Sequence, residues 1–521
     1  MRPSANGAGL LLGQALRRDR VLAPVWIVVM LVVVYASAAA TPSLYATEAE
    51  RVSAATALNA QPAIVALYGP ILDVHSLGEL AMTKMTVLYA LFGALLFVVL
   101  VRRHTRVDEE SGRAELVMGT AVGRDAPLAA ALAESALLSV ALGFLGALTS
   151  IVAGLPAAGS AWFGVVWAAT GLVGMGIAAV ACQLSASART CAAICAGAIG
   201  GAYVARAVGD ASGNTWLSWL SPFGWNTQLR AWSGTRPWVA LLYLVLTGVL
   251  VAVAQALRGR RDLGAGLIAA RPGRAQASPR LTGAFSLTLR VHSAPLVIWS
   301  LACLALGVLF GAITPGLHTL LDSAGAQQMM ARLGPALIAA ILSVIAIVVT
   351  CFGISVIGHA GGDESDGRTE TSLASGVSRD RWLGSILLLA LGGSAWLLLL
   401  TGIGLWIGYG AAGGDHAAQT VPAALAWIPA AWVVIGLGLL AYGHSARLVW
   451  AGWAFLGLFL TLTLIGSLLR FPRWLIRLSP YSAVPQYPYE PWRWTPVIVL
   501  LAVVAATLTG AWLRFRERDI G

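Results

Sequence analysis

Twelve stretches of this chain stay apolar for about twenty residues each, the length a helix needs to cross about 30 Å of hydrocarbon. They lie near 22–41, 84–101, 127–153, 161–182, 190–208, 238–257, 294–313, 336–357, 383–408, 421–442, 448–469 and 496–513. Lipid offers no water to an unpaired amide, so each stretch must bond its backbone internally, as a helix does. The expected fold is therefore an all-α polytopic membrane protein with twelve transmembrane helices. Only 11% of residues are charged and the mean hydropathy is +0.78, against about 25% charged in a soluble domain. The net charge of +11 does not indicate nucleic acid, because the basic residues sit between apolar runs and report orientation.

Of the 34 basic residues, 24 fall on the loops that share a side with the N-terminus. Both termini are thus expected in the cytoplasm of a cell-membrane protein. The strongest anchor is 258–293, with Arg258, Arg260, Arg261, Arg271, Arg274, Arg280 and Arg290. One outer stretch, 470–494, breaks the rule with Arg470, Arg473, Arg477 and Arg493. Its Trp474, Trp492, Trp494 and prolines read as interfacial or re-entrant. The first apolar run has a signal-peptide cast, with Arg17, Arg18 and Arg20 ahead and Ala36-Ser37-Ala38 behind. Residues 289–318 echo 16–45, matching Leu16/Leu289, Arg17/Arg290, Trp26/Trp299, Thr41/Thr314 and Pro42/Pro315. An internal copy cannot be a cleaved signal, so the first run is read as a helix.

The chain also writes one polar sentence twice. DEESGRAELVMGTAVGRD (108–125) and DESDGRTETSLASGVSRD (363–380) align without a gap and agree at 8 of 18 positions. The matches are Asp108/Asp363, Glu109/Glu364, Gly112/Gly367, Arg113/Arg368, Glu115/Glu370, Val122/Val377, Arg124/Arg379 and Asp125/Asp380. Trp216-Leu217 and Leu220-Ser221-Pro222-Phe223 return as Trp474-Leu475 and Leu478-Ser479-Pro480-Tyr481. Arg261-Asp262-Leu263-Gly264 returns as Arg518-Asp519-Ile520-Gly521. The chain is read as two six-helix halves, 1–257 and 289–521, joined by a cytoplasmic linker at 258–288. Six is even, so the halves form a parallel repeat.

Each doubled loop begins acidic and turns basic at Arg124 or Arg379. Acids in a first turn complement the helix dipole, which predicts short surface helices over 106–118 and 361–373. A loop that only fixed topology would need Arg and Lys; keeping Gly112/Gly367 and Glu115/Glu370 points to something more specific. Two equivalent surface helices suit a partner that also comes as two similar units.

At these residues the sequence resembles the ABC-2 type permeases. Glu110-Ser-Gly112-Arg-Ala-Glu115-Leu-Val, then Val122-Gly-Arg124, is similar to that family's acidic-Gly-x-x-Glu-Leu, Val-x-Arg signature. The run Arg-His-Thr-Arg-x-x-Glu-Glu-x-Gly-Arg-x-Glu at 103–115 resembles the fused twelve-helix polyketide-antibiotic exporters of the tetronasin type. The resemblance implies an ABC-2/type V exporter-like fold and a coupling helix after transmembrane helix 2, seated on a separate ATP-binding subunit. Two copies of that subunit would bind, carrying the ATP and Mg, while this chain binds no cofactor itself. The implied coupling residues are Asp108, Glu109, Glu110, Gly112, Arg113, Glu115 and Arg124, with Asp363, Glu364, Gly367, Arg368, Glu370 and Arg379. The second copy departs where Leu116 becomes Thr371 and Glu110 becomes Ser365. The implied substrate is a large hydrophobic compound, an antibiotic, drug or lipid-like molecule. It would leave between the halves past Tyr89, Phe92, Phe97, Tyr203, Phe352, Trp450, Trp453, Phe455 and Phe459. Gly197 and Gly201 would let helix 5 approach a neighbour closely.

No catalytic constellation or metal-ligand set is found. The only lysine, Lys84, has no adjacent glycine, which excludes a P-loop. His-Glu-x-x-His, Gly-x-Ser-x-Gly and Cys-x-x-Cys patterns are absent. The cysteines Cys182, Cys191, Cys195, Cys303 and Cys351 read as packing residues. His104 and His359 share a repeat position and read as helix-end caps rather than proton sensors. Glu134, whose counterpart is Leu389, and Arg206 are the charges placed inside apolar runs. The alternative is a proton-coupled drug exporter of the major facilitator type, which also has two six-helix halves. Its signature after helix 2 is predominantly basic, whereas Asp108 here is followed by Glu-Glu-Ser-Gly-Arg-Ala-Glu.

Overall fold

The computed structural model describes residues 5–268, 276–319, 324–413, 417–465, 472–485, 487 and 492–519. Side chains are described for all of these except 314–319, 324–340, 464, 465 and 473. Arg271, Arg274, Arg470, Ile520, Gly521 and the Thr314 and Pro315 side chains therefore lie outside the described residues.

Every regular element among the described residues is helical, and twelve helices are long and apolar enough to span a membrane. Spans 1–6 are Leu22–Leu44, Leu77–Glu110, Ala126–Val152, Ala157–Leu184, Ala188–Ser212 and Val239–Gly259. Spans 7–12 are Ala284–Ile313, Ile341–Ser365, Arg379–Ala411, Ala417–His444, Ala446–Thr463 and Trp494–Glu517. The twelve-helix expectation is met. Spans 2 and 8 run well past their apolar cores, for reasons that appear below.

The chain divides into two compact units, Met1–Gly273 and Arg274–Gly521, with six spans apiece. Each unit builds its own core around its second and fourth spans. The apolar windows of spans 4 and 10 are both 72% buried, whereas spans 6 and 11 reach only 17%. Continuous apolar helices bury their surface by close packing, and small residues permit it. In the second unit, Gly307 and Gly311 of span 7 face Gly404 and Gly408 of span 9. A methyl at Gly307 would meet the Thr401 carbonyl oxygen at 2.5 Å, and one at Gly311 the Leu405 oxygen at the same distance. Gly143 and Gly164 seal spans 3 and 4 in the same manner. The expected pair Gly197 and Gly201 does not do this: a methyl at either would meet nothing within 4 Å.

In the first unit a helix at Ala8–Arg18 precedes span 1, its last turn carrying Arg17 and Arg18. Between spans 1 and 2 stand helices Glu48–Asn59 and Pro62–Tyr68. The first starts at a capping box in which Thr47 and Glu50 exchange hydrogen bonds. The repeated Ser-Pro motif folds back into the core of each unit. Phe223 and Tyr481 are both buried, and Tyr481 shares a 2.8 Å hydrogen bond with Thr350 of span 8. Burial raises the pKa of this tyrosine, so its hydroxyl stays protonated. The described part of 470–494 around Pro480 thus packs inside its own unit.

Candidate functional site

The two polar loops have one backbone design. Span 2 continues as helix to Glu110, with π-turns at Met85–Tyr89 and Arg103–Val107, and span 8 continues to Ser365. Both stop in the same way. Gly112 N–H donates to the Glu109 carbonyl (3.2 Å) and Gly367 N–H to that of Glu364 (3.1 Å). Both glycines are left-handed, with φ of 74° and 72°, a conformation that only glycine adopts without steric cost. Short helices follow at once, Arg113–Met118 and Arg368–Ala374. This corrects the expectation that Asp108, Glu109 and Glu110 open a surface helix: they close span 2. The acid in the first turn of each short helix is Glu115 or Glu370.

The remaining matched residues separate into buried and exposed groups. Glu109 is buried and grips Arg261, with Nη1–Oε2 2.8 Å and Nη2–Oε1 2.7 Å; Arg106 Nη1 approaches the same carboxylate at 3.0 Å. Arg261 Nε also donates to Gln183 of span 4 at 2.8 Å. In the second unit Arg518 Nη2 donates to Glu364 at 2.6 Å, and Tyr442 of span 10 donates to the same carboxylate at 2.8 Å. Arg518 also lies over the Tyr442 and Phe515 rings, about 5 Å from their centres. Each unit therefore ties the ends of its second, fourth and sixth spans together. The repeated Glu and the repeated Arg-Asp-aliphatic motif are the two sides of one clasp.

Arg124 and Arg379 complete it. Arg124 donates to the carbonyls of Arg261 (2.8 Å) and Arg258 (3.3 Å); Arg379 donates to those of Arg518 (2.8 Å) and Arg516 (2.9 Å). Carbonyls past the last helical turn lack intrahelical donors, and these guanidinium groups supply them. Asp125 and Asp380, next in sequence, face Arg258 at 3.4 Å and Arg516 at 3.6 Å. Asp108 and Asp363 reach across the glycine to Arg113 (3.6 Å) and Arg368 (2.8 Å). The hydrogen bond to Asp363 raises the pKa of the Arg368 guanidinium. Asp108 is held further by Arg18, at 2.8 Å to each oxygen. Glu110 accepts from the Ala188 amide at the start of span 5 (3.0 Å), a contact that Ser365 does not reproduce.

Glu115 and Glu370 remain. Both are exposed, and among the described residues neither side chain has an ion pair or hydrogen bond. Leu116 beside Glu115 is 78% exposed. Of thirteen sequence-nominated coupling residues, these two glutamates are the ones whose charge the protein itself leaves unused. Sequence reading grouped all thirteen because their spacing does not reveal which carboxylates find internal partners.

The nominated path aromatics also divide. Phe97 and Phe352 occupy one repeat position, each at most 1% exposed within the core of its own unit. Both are packing residues, a correction to their reading as path lining. Tyr203 hydrogen-bonds the Leu67 carbonyl and supports Arg206 at 4.6 Å. Arg206 itself does not snorkel: it is buried, donating to Ala66 (2.7 Å) and pairing with Asp210 (3.1 Å). Phe455 and Phe459 pack against the second core, and Tyr89 against the first. Phe92, Trp450 and Trp453 are exposed, at 41%, 62% and 47%.

His104 does not cap a helix end, as the sequence suggested. It sits inside the π-turn of span 2, only 8% exposed, and touches Asp19 and Glu134. Ser135 does not satisfy Glu134, since its own hydroxyl has no partner.

Residues 281–516 match the family model for the C-terminal domain of the multidrug efflux system permease Rv1217c. The chain is 38% identical over 518 residues to the multidrug efflux system permease protein Rv1217c of Mycobacterium tuberculosis. That alignment covers 97% of this chain and 94% of the relative. Twelve spans among the described residues and near-complete coverage of a permease agree: the chain belongs to the Rv1217c family of multidrug efflux permeases, multi-pass membrane proteins.

Proposed function

We propose that this chain is the membrane-spanning permease of an ATP-driven exporter of the ABC-2 type. It moves large hydrophobic compounds outward, polyketide antibiotics among them. Two copies of a separate ATP-binding subunit supply the energy, one seated on Arg113–Met118 and the other on Arg368–Ala374. The carrying observation is the doubled helix–glycine–helix turn whose clasp pairs its charges internally while Glu115 and Glu370 are exposed and, among the described residues, unpaired. An acidic side chain on a rigidly anchored short helix offers a partner a directed charge contact. Because the clasp links each short helix to the ends of three spans, a pull on it reaches the helices that would have to rock. Both loops and both termini then face the cytoplasm, in line with the basic-residue count. The aromatics Phe92, Trp450 and Trp453, exposed on their own units, are the nominated residues best placed to meet substrate.

The test replaces both glutamates with arginine. The expected variant Glu115→Arg/Glu370→Arg is purified monodisperse, loses efflux in cells, and no longer co-purifies with a Walker-motif ATPase that accompanies the native protein. Normal efflux by that variant removes the assignment. Collapse of native efflux on protonophore addition, with ATP held constant, replaces it with the facilitator mechanism.

A further inference from the structure

Asp19, His104 and Glu134 come from three places in the sequence: the turn after the N-terminal helix, the π-turn of span 2, and span 3. Their side chains meet in a pocket almost closed to solvent, 1%, 8% and 0% exposed respectively. His104 Nε2 touches Asp19 Oδ2 and lies 3.3 Å from Glu134 Oε2, but out of line for a hydrogen bond. An imidazole nitrogen carries one proton at most, and this one is aimed at Asp19. Both oxygens of Glu134 are left without a donor. A carboxylate fully buried in a span and unbonded is among the most costly groups a membrane protein can hold. The nearby cations are already directed elsewhere: Arg103 holds Asp19 Oδ1 at 2.7 Å, and Arg18 holds Asp108.

We propose that Asp19, His104 and Glu134 form a divalent-cation site of the Zn²⁺ or Mn²⁺ class. One nitrogen and two carboxylate oxygens, with all ligand atoms within 4.8 Å of one another, can close on a single ion. Zinc bonds of about 2.0–2.1 Å in a tetrahedron place neighbouring ligand atoms about 3.3 Å apart, the separation already present between Nε2 and Oε2. The ion satisfies Glu134 and Asp19 together, which a single proton does not. The mixed imidazole–carboxylate set suits Zn²⁺ or Mn²⁺ better than Ca²⁺, which takes oxygen, or Cu(I), which takes sulfur. Arg103 orients Asp19 from behind. A bound ion fastens the N-terminal helix to spans 2 and 3, one turn from Asp108.

The second unit supplies an internal comparison. There the corresponding positions are His292, His359 and Leu389. The two histidine rings still meet, 5.2 Å apart, but a leucine stands where the first unit has Glu134 and a histidine where it has Asp19. One ion per chain is therefore expected.

The experiment strips the purified full-length chain with a chelator, titrates Zn²⁺ and Mn²⁺, and measures bound metal per chain by mass spectrometry after size exclusion. The wild type should hold one equivalent of one of these ions. Glu134→Gln and His104→Ala should lose it, Arg103→Gln should bind roughly 10–100-fold more weakly, and His359→Ala should bind as the wild type does. Glu134→Gln keeps the shape and removes the charge, so it carries the test should His104→Ala not elute as a single species. Less than a tenth of an equivalent on the wild type overturns the proposal. Full binding by Glu134→Gln overturns it as well, since the ion would then sit elsewhere.

Discussion

Truncating Glu109 should damage the first unit more than truncating Glu364 damages the second, although the two residues share a repeat position. Glu109→Ala takes from Arg261, a guanidinium only 4% exposed, its counter-charge and two bonds of 2.7 and 2.8 Å, leaving it neutral acceptors such as Gln183. Arg106, fully buried, loses its 3.0 Å partner at the same time. Removing one member of a buried pair costs about 3–5 kcal/mol, because the other charge remains without compensation. Glu364→Ala removes less. Arg518 is 12% exposed, loses one contact of 2.6 Å and keeps the Tyr442 and Phe515 rings beneath it, while the Tyr442 hydroxyl loses its 2.8 Å acceptor. The cost should be about 2–3 kcal/mol, that of hydrogen bonds to a charged group. For a unit of about 250 residues each kcal/mol shifts the unfolding midpoint by roughly 2–4 °C. Thermal unfolding of the detergent-solubilised chain should therefore show a loss of about 10 °C for Glu109→Ala and about 7 °C for Glu364→Ala. A Glu109→Ala loss under about 2 °C, or equal losses for the two variants, would refute the clasp as the reason these glutamates are doubled.

Two further outcomes follow from the same geometry. Gly112→Ala and Gly367→Ala each force a side chain into a φ near +70° where no neighbouring atom obstructs it. Each should cost about 1–2 kcal/mol from backbone strain alone, visible as a similar drop in midpoint for both, with Gly→Asn milder than Gly→Ala. Tyr481→Phe removes the bond to Thr350, whose hydroxyl also donates to the Ala346 carbonyl. About 1 kcal/mol of destabilisation is expected, measured by the same thermal assay.

Much of the fold was legible because membrane solvation imposes it. Twenty apolar residues in lipid have one stable backbone conformation, so the span count and their approximate limits follow from hydropathy. Where spans 2 and 8 end was not legible, since charged residues such as Asp108 and Glu364 continue a helix as readily as they start one. The left-handed Gly112 and Gly367 were visible as conserved letters between the copies, but their role as chain-reversing caps required the φ angles.

The sequence by itself determined that this is a twelve-helix membrane protein containing one polar motif twice, because hydropathy and repetition are properties of the chain alone. Tertiary structure decided which of the repeated charges serve the fold and which stay exposed without an ion pair among the described residues. Glu109 and Arg261 are 152 residues apart, and nothing in their local sequence says that they meet. The same holds for Asp19, His104 and Glu134. Whether a charge is paired, buried or free depends on what three-dimensional packing brings within about 3 Å of it, and spacing along a chain carries no record of that distance.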